Sequence, residues 1–296
     1  MLPKIRTSHV SRSIIFQPDG ILLPYGRGVP LLWRYIMSNH VYNKFSLSGP
    51  TEIVQDFKDL AFRIDRASDE EIINFDLNSI VPMPGDLGIV SCATGNHALR
   101  LLNSPPETLL KDLISTSQVY FGAIQDAFAF SDQIWNVITV GELLTAIDHM
   151  RAYSRCLDWD FLDLPLAKKY KRNIEKYGYP TWYEWRDDNW GCTQNTWRFN
   201  LVTDEIVENV HRLSFEFKTN WSAPVPVFYR LSEMYPQLDF KVSYLEEYLQ
   251  FTGLFVSNVG SCERLYLHHN EPGMNEHLLE YWGIDLEAVL NAMMGD

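Results

Sequence analysis

The chain is 296 residues long, 46% hydrophobic and 14% aromatic, which excludes a disordered polymer and allows two or three packed units. With 25 basic against 38 acidic side chains its net charge is −13, a field that weighs against nucleic-acid and anionic-membrane binding and favours basic partners. No run of 18 apolar residues supports a membrane span, and Cys92, Cys156, Cys192 and Cys262 lack the spacing of a disulfide framework or zinc knuckle.

The basic N-terminus is followed by no apolar signal core, so a reducing, cytoplasmic setting is expected. Residues 1–36 read as an extension. Two short β-rich runs flank Pro18-Asp19-Gly20 and predict a hairpin. An isolated hairpin is marginal in water. Its apolar residues Ile14, Phe16, Ile21 and Leu23 are therefore candidate interaction residues, and self-association is expected. The segment 29–37 predicts a short strand or helical turn.

Val41, Phe45 and Leu47 alternate with polar residues and predict a half-buried strand ended by Gly49-Pro50. A helix follows, with Ile53, Val54, Phe57, Leu60, Ala61 and Ile64 on one face and Thr51 or Ser48 as its cap. Residues 73–84 read as an extended segment, which completes a β-α-β half over 37–85. Residues 86–177 change to helical periodicity and predict a helical insertion.

The stretch "GYPTWYEWRDDNWGCTQNTW" from Gly178 holds Trp182, Trp185, Trp190 and Trp197. Thr181 and Glu184 form a capping box and Gly191 stands where a helix stop needs glycine, so a helix over 182–190 is expected. Trp182, Trp185 and Trp190 share a stripe of about 140°. Asp187 and Asp188 lie off it, and with Glu184 they make the surroundings acidic rather than basic. The stripe reads as a buried hub more than a base-stacking platform. Trp221, beside Pro224 and Pro226, is expected to pack onto the same helix.

Strands recur in "NTWRFNLVTD" and "HRLSFEFKTN", joined by "EIVENV", before a helix near Val227, Leu231 and Met234 and further strands to His268. Residues 178–257 thus supply the second half of a split ferredoxin-like sheet. The predicted class is α+β: an antiparallel ferredoxin-like sheet, a large helical insertion, an N-terminal hairpin, and a C-terminal strand and helices over 258–296.

Five segments carry a resemblance: "MSNHVYNKFSLSGP", "FDLNSIVPMP", "YGYPTWYEWRDDNWG", "LSFEFKTNWSAPVPVFYRLSEMYPQLDF" and "SYLEEYLQFTGLF". In order and character, across 37–257, the chain resembles the YubB-like ferredoxin-domain family of phages and plasmids, whose function is mostly unknown. The chain departs from it after Asn189-Trp190-Gly191, where "CTQNTW" displaces the next tryptophan to Trp197. The resemblance implies a mobile-element origin and no agreed activity.

No nucleophile elbow, phosphate-binding glycine loop or zincin motif is present. The pairs Asp187-Asp188 and Glu246-Glu247 read as solvated faces, because adjacent side chains diverge. His268, His269 and His277 lack metal-ligand spacing. No catalytic residue, cofactor or metal is expected. From Leu265 to Asp296 there are six carboxylates and no Lys or Arg, which makes Glu271, Glu276 and Glu280 candidate interaction residues. The functional expectation is a phage anti-defence inhibitor that binds a host defence complex, with a Gabija-type nuclease–helicase as a first target. The alternative is a nucleic-acid-binding module using the sheet face and aromatic residues.

Overall fold

The structure is a computed structural model that describes residues 14–16, 22–24, 39–65, 72–113, 137–153, 162–288 and 291. The Pro18–Gly20 turn, Ile21, the segment 29–37 and Cys156 lie outside the described residues. Two compact units are distinguished: residues 1–82 with 186–296, and residues 83–185.

In the first unit, β1 (Ile14–Phe16) pairs antiparallel with β2 (Leu22–Pro24). The main element is a six-stranded, wholly antiparallel sheet. Its strands are β3 (His40–Gly49), β6 (Trp197–Val207), β7 (Val210–Asn220), β8 (Asp239–Glu246), β9 (Phe251–Asn258) and β10 (Ser261–His268). They lie in the order β10-β9-β8-β3-β7-β6. The four strands β8-β3-β7-β6, with α1 (Thr51–Ala61) after β3 and α8 (Val225–Met234) after β7, make a ferredoxin-like α+β domain. Strands β9 and β10 extend it on one side.

Period-two alternation sends one side of each strand into the core. Val41, Phe45 and Leu47 of β3, Leu213, Phe215 and Phe217 of β7, and Phe240 and Val242 of β8 are all buried. Phe45 stacks on Phe215 with ring centroids 4.8 Å apart and on Phe240 at 5.2 Å. Helix α1 closes this face with Val54, Phe57 and Ala61, and α8 with Val227, Phe228 and Leu231.

Four expectations are corrected here. Helix α1 stops at Ala61, so Ile64 falls on β4 (Phe62–Asp65) and is 50% exposed. Neither Thr51 nor Ser48 caps α1; Pro50 is the cap, and its carbonyl accepts the N–H groups of Ile53 and Val54 at 3.0 Å. Residues 73–84 add no strand to the main sheet. Instead β5 (Ile72–Phe75) pairs only with β4, and a short helix α2 (Leu77–Ile80) follows, with Asp76 accepting the Asn78 N–H at its start. Finally, "EIVENV" is mostly strand. Its turn is Glu208-Asn209 alone, both with positive φ (52° and 67°), as a two-residue hairpin matched to strand twist requires.

In the second unit, helices α3 (Ala93–Asn103), α4 (Leu110–Leu113), α5 (Val140–Tyr153) and α6 (Leu164–Tyr177) bury Ala98, Leu101, Leu143, Ile147, Leu164 and Ala167 together. The Tyr170 hydroxyl donates to the Val90 carbonyl and accepts the Cys92 N–H. Gly95 is needed there, because a Cβ would sit 2.7 Å from the Tyr170 ring.

Cys92 stands at the start of α3, with its thiol 3.1 Å from the Thr94 hydroxyl. That hydrogen bond lowers its pKa. Burial pushes Cys192, in the first unit, up to about 12. Alkylation at pH 7 followed by site-resolved mass spectrometry should modify Cys92 much faster than Cys192, whose buried thiol stays protonated at that pH. Equal rates would contradict this arrangement.

Candidate functional site

Helix α7 (Trp182–Trp190) begins at a capping box, in which Thr181 Oγ1 donates to Glu184 at 2.6 Å and accepts the Tyr183 N–H at 3.3 Å. It ends at Gly191, with φ 78°. A Cβ there would lie 2.7 Å from Pro226, so the close approach of the β7–α8 turn also demands glycine. Trp190 is 1% exposed and its indole N–H donates to the Val81 carbonyl at 2.8 Å. Trp185 is buried and Trp182 half-buried, while Tyr183, Asp187 and Asp188 are exposed. Arg186 lies over the Trp190 ring at 4.7 Å.

Trp221 is not a member of that packed set. It is 57% exposed and has φ 70°, an unusual backbone for a tryptophan. The space beside Gly191 is taken instead by Ser222, whose hydroxyl donates to the Gly191 carbonyl, by the buried Ala223 and by Pro226. The strained turn is held by the Trp221 N–H on the Asn39 carbonyl (2.8 Å) and the Thr219 hydroxyl on the Ser222 carbonyl (2.7 Å). The indole is thereby presented outward from a rigid loop.

Strand register assigns the opposite face of the sheet. Trp197, Lys218, Tyr42 and Leu245 form one row across β6-β7-β3-β8; Thr203, Ser214, Ser46 and Lys241 form another. Lys218 lies 3.9 Å from the Tyr42 ring centre and 5.4 Å from that of Trp197, and Arg198 lies 5.2 Å from the latter. His40 meets the Trp197 edge at 4.8 Å and bonds the Glu247 carboxylate through both its N–H and its ring Nδ1. Burial raises the Tyr42 hydroxyl and lowers the Lys218 ammonium.

Farther along lies a shallow groove of about 450 Å³. Ser46, Ser48, Thr203 and Ser214 line it, and its charges balance: Arg212 and Lys241 against Glu205 and Asp239. Sequence reasoning missed this aromatic–cationic row. The alternation of β3 and β7 already assigned Tyr42 and Lys218 to one side, but only pairing with β6 brings Trp197 to them.

Glu246-Glu247 is not a solvated pair. Glu246 is fully buried, its carboxylate accepts the Tyr248 and Gln250 N–H groups (2.9 and 3.0 Å), and burial raises its pKa. At the sheet's other side, Lys58 (2.5 Å) and His211 (2.6 Å) grip Asp204. Burial alone would raise the Asp204 carboxyl, but those two bonds outweigh it and hold the group below its ordinary value.

A depressed carboxyl adds stability that is complete above the unfolded pKa, about 4, and is lost as pH falls through the lower folded value. Asp204→Asn should therefore cost about 1 kcal/mol at neutral pH and flatten the loss of stability below pH 4. Urea titrations of both proteins across pH 2–7 read this directly. An unchanged acid limb would refute the assignment.

Helix α9 (Met274–Trp282) docks on the same face as the Trp197 row. Met274 and Leu278 pack with Leu245, Leu249 and Leu267, and the Trp282 indole donates to Ser243 at 2.9 Å. Glu276 and Glu280 point away, exposed, as does Leu279. Glu271 is also exposed and accepts the His268 N–H at 2.9 Å. His277 is buried and stacked on Tyr281, whereas His268 is exposed on β10. Among the described residues no three His, Cys, Asp or Glu side chains assemble as a metal-ligand group. Of the hairpin residues, Ile14 and Phe16 fall on β1 and Leu23 on β2. No described helix is long and apolar enough to cross a membrane.

Residues 198–280 match the family model described as "Ferredoxin-like domain in Api92-like protein". That span runs from β6 to α9, so the chain carries a ferredoxin-like domain similar to that of Api92-like proteins. A crystal structure of a protein api92 from Yersinia pseudotuberculosis is 13% identical, covering 79% of this chain and 99% of that one, at a TM-score of 0.36. No curated protein matches the chain.

Proposed function

We propose that this chain is a non-enzymatic interaction protein of a phage or related mobile element that binds and inhibits a host defence complex. The carrying observation is the acidic face of the C-terminal region. A helix locked to the sheet by Met274, Leu278 and Trp282 holds Glu276 and Glu280 outward around the exposed Leu279, with Glu271 beside them and no cation after Arg264. A pre-organised acidic face suits a basic surface such as the nucleic-acid groove of a nuclease. Trp221, exposed on a rigid turn, adds an aromatic anchor of the kind that dominates interface energetics.

The YubB-like resemblance supports the mobile-element origin, and a Gabija-type nuclease–helicase complex is the first target to test. The tagged chain should retain such a complex on a column, and its expression should protect a sensitive phage. Recovery of no stable partner, together with no protection against any defence system, would sink the proposal.

A second reading is favoured by Trp197, Lys218, Tyr42 and Arg198 on the sheet face, an arrangement able to stack a base beside a cation. Fluorescence anisotropy with single-stranded DNA and RNA at low and high salt separates the two. Tight, salt-sensitive binding that Trp197→Ala abolishes would reverse their order.

A further inference from the structure

Among the described residues the sheet ends at two edge strands, β6 and β10, and they are built differently. Edge β6 carries devices that discourage pairing with another strand. Its register slips twice against β7, Arg198 has a positive φ, and Asp204 turns toward Lys58 and His211. The loop leading into it is also tied down: the Thr196 hydroxyl donates to the Phe75 carbonyl and Asn195 accepts the Leu77 N–H.

Edge β10 is more regular, and its outer backbone is capped at one end only, where Glu271 accepts the His268 N–H and donates its own N–H to the His268 carbonyl. It pairs with β9 without a slip over all eight residues, contains no proline, and leaves Leu265 (42%) and Tyr266 (37%) exposed. The His269 N–H bonds the Gln250 carbonyl on the inner side, so the outward backbone groups are those of residues 262, 264, 266 and 268. Glu271 takes those of His268, which leaves 262, 264 and 266 to pair, with apolar side chains to cover.

The geometry points to β10 as a self-association edge: two copies pair β10 antiparallel to β10 about a two-fold axis through Leu265, joining their sheets into one. The occupant is a second copy because the strand is complementary to itself in that register. Leu265 meets Leu265 of the second copy, and Arg264 falls opposite Tyr266 of the second copy. The same two residues already approach each other within one chain, at 5.5 Å. Moving the axis to Arg264 sets arginine against arginine, and moving it to Glu263 sets glutamate against glutamate. An axis at Tyr266 shortens the ladder. Charge and length together select Leu265. This edge borders the acidic helix, since Leu267 packs with Met274 and Leu278, but its test is the self-association of the chain alone and needs no host partner.

Sedimentation velocity of the full chain up to about 100 µM should show a monomer–dimer equilibrium. L265K places like charges face to face on the axis and should weaken it by about tenfold or more. The site is partly exposed, so the thermal transition should barely move. L265C brings two Cβ atoms to about 5 Å across the axis, and mild oxidation should link position 265 of one copy to position 265 of the other. A wild-type monomer at the highest concentration, self-association unchanged in L265K, or no 265–265 linkage in L265C would each overturn the inference.

Discussion

Truncating Phe45 to alanine should lower the stability of the sheet unit by about 3–5 kcal/mol. The residue is 1% exposed at the middle of β3, the strand flanked by β7 and β8. Its ring stacks on Phe215 and Phe240 and lies within 6.0 Å of Phe57, Phe75 and Phe228. Removing it opens a cavity whose walls come from three strands and two helices, and a sheet held by a continuous ladder collapses poorly into such a space. A domain of this size is stable by only about 5–15 kcal/mol, so the loss is a large fraction of the total. Phe45→Leu, which keeps most of the volume, should cost far less. Urea denaturation followed by tryptophan fluorescence measures both. A loss below about 1 kcal/mol for alanine would mean that Phe45 is not the centre of the core.

Reversing the charge of Glu276 and Glu280 should have the largest effect on partner binding. Both are exposed on a helix fixed from below, so E276K/E280K changes the field without opening the core. Glu271 is left intact because it accepts the His268 N–H and so supports the turn. Lysine at position 276 sits in the first turn of α9 and costs a few tenths of a kcal/mol against the helix dipole. For a basic partner groove, association should slow by about 10- to 1,000-fold at low salt, with dissociation changed less. Surface plasmon resonance against the retained complex, run at two ionic strengths, reads rate and salt slope together. E276Q/E280Q should fall between wild type and the reversal. Identical association rates for all three would remove the acidic face from the interaction.

The strand at Val41–Leu47, the helix at 182–190 and the ferredoxin-like plan were legible in the residues themselves. Each rests on local rules: alternation, a capping box, a glycine stop. The errors fall where local rules conflict or end. Ile64 continues the apolar helical stripe of α1, but the chain turns into strand at Phe62, so the periodicity overran the element. Glu246 looked solvated because its neighbour Glu247 is also acidic. Its burial follows from Val41 on the paired strand, which places position 246 on the core face, and from the tight turn whose N–H groups need an acceptor.

Trp221 shows the same limit at the candidate site. Its neighbours Pro224 and Pro226 correctly marked a stiff turn, but the left-handed backbone at Trp221 itself decides which way the indole faces. No composition rule anticipates that conformation in a tryptophan.

Sequence by itself determined the class of fold, the acidic character of the C-terminal region, the capped tryptophan helix and the alternation that gives each central strand one apolar side. These depend on spacings of two to four residues, within which side-chain direction is set by backbone geometry alone. Only the tertiary structure decided that Trp197 joins Tyr42 and Lys218, that β9 and β10 widen the sheet, and that β10 pairs in unbroken register while β6 slips. Those facts depend on which strands pair and in what register, over separations of more than a hundred residues between Tyr42 and Trp197. Pairing at that range is chosen by the packing of the whole core, which no short window of residues contains.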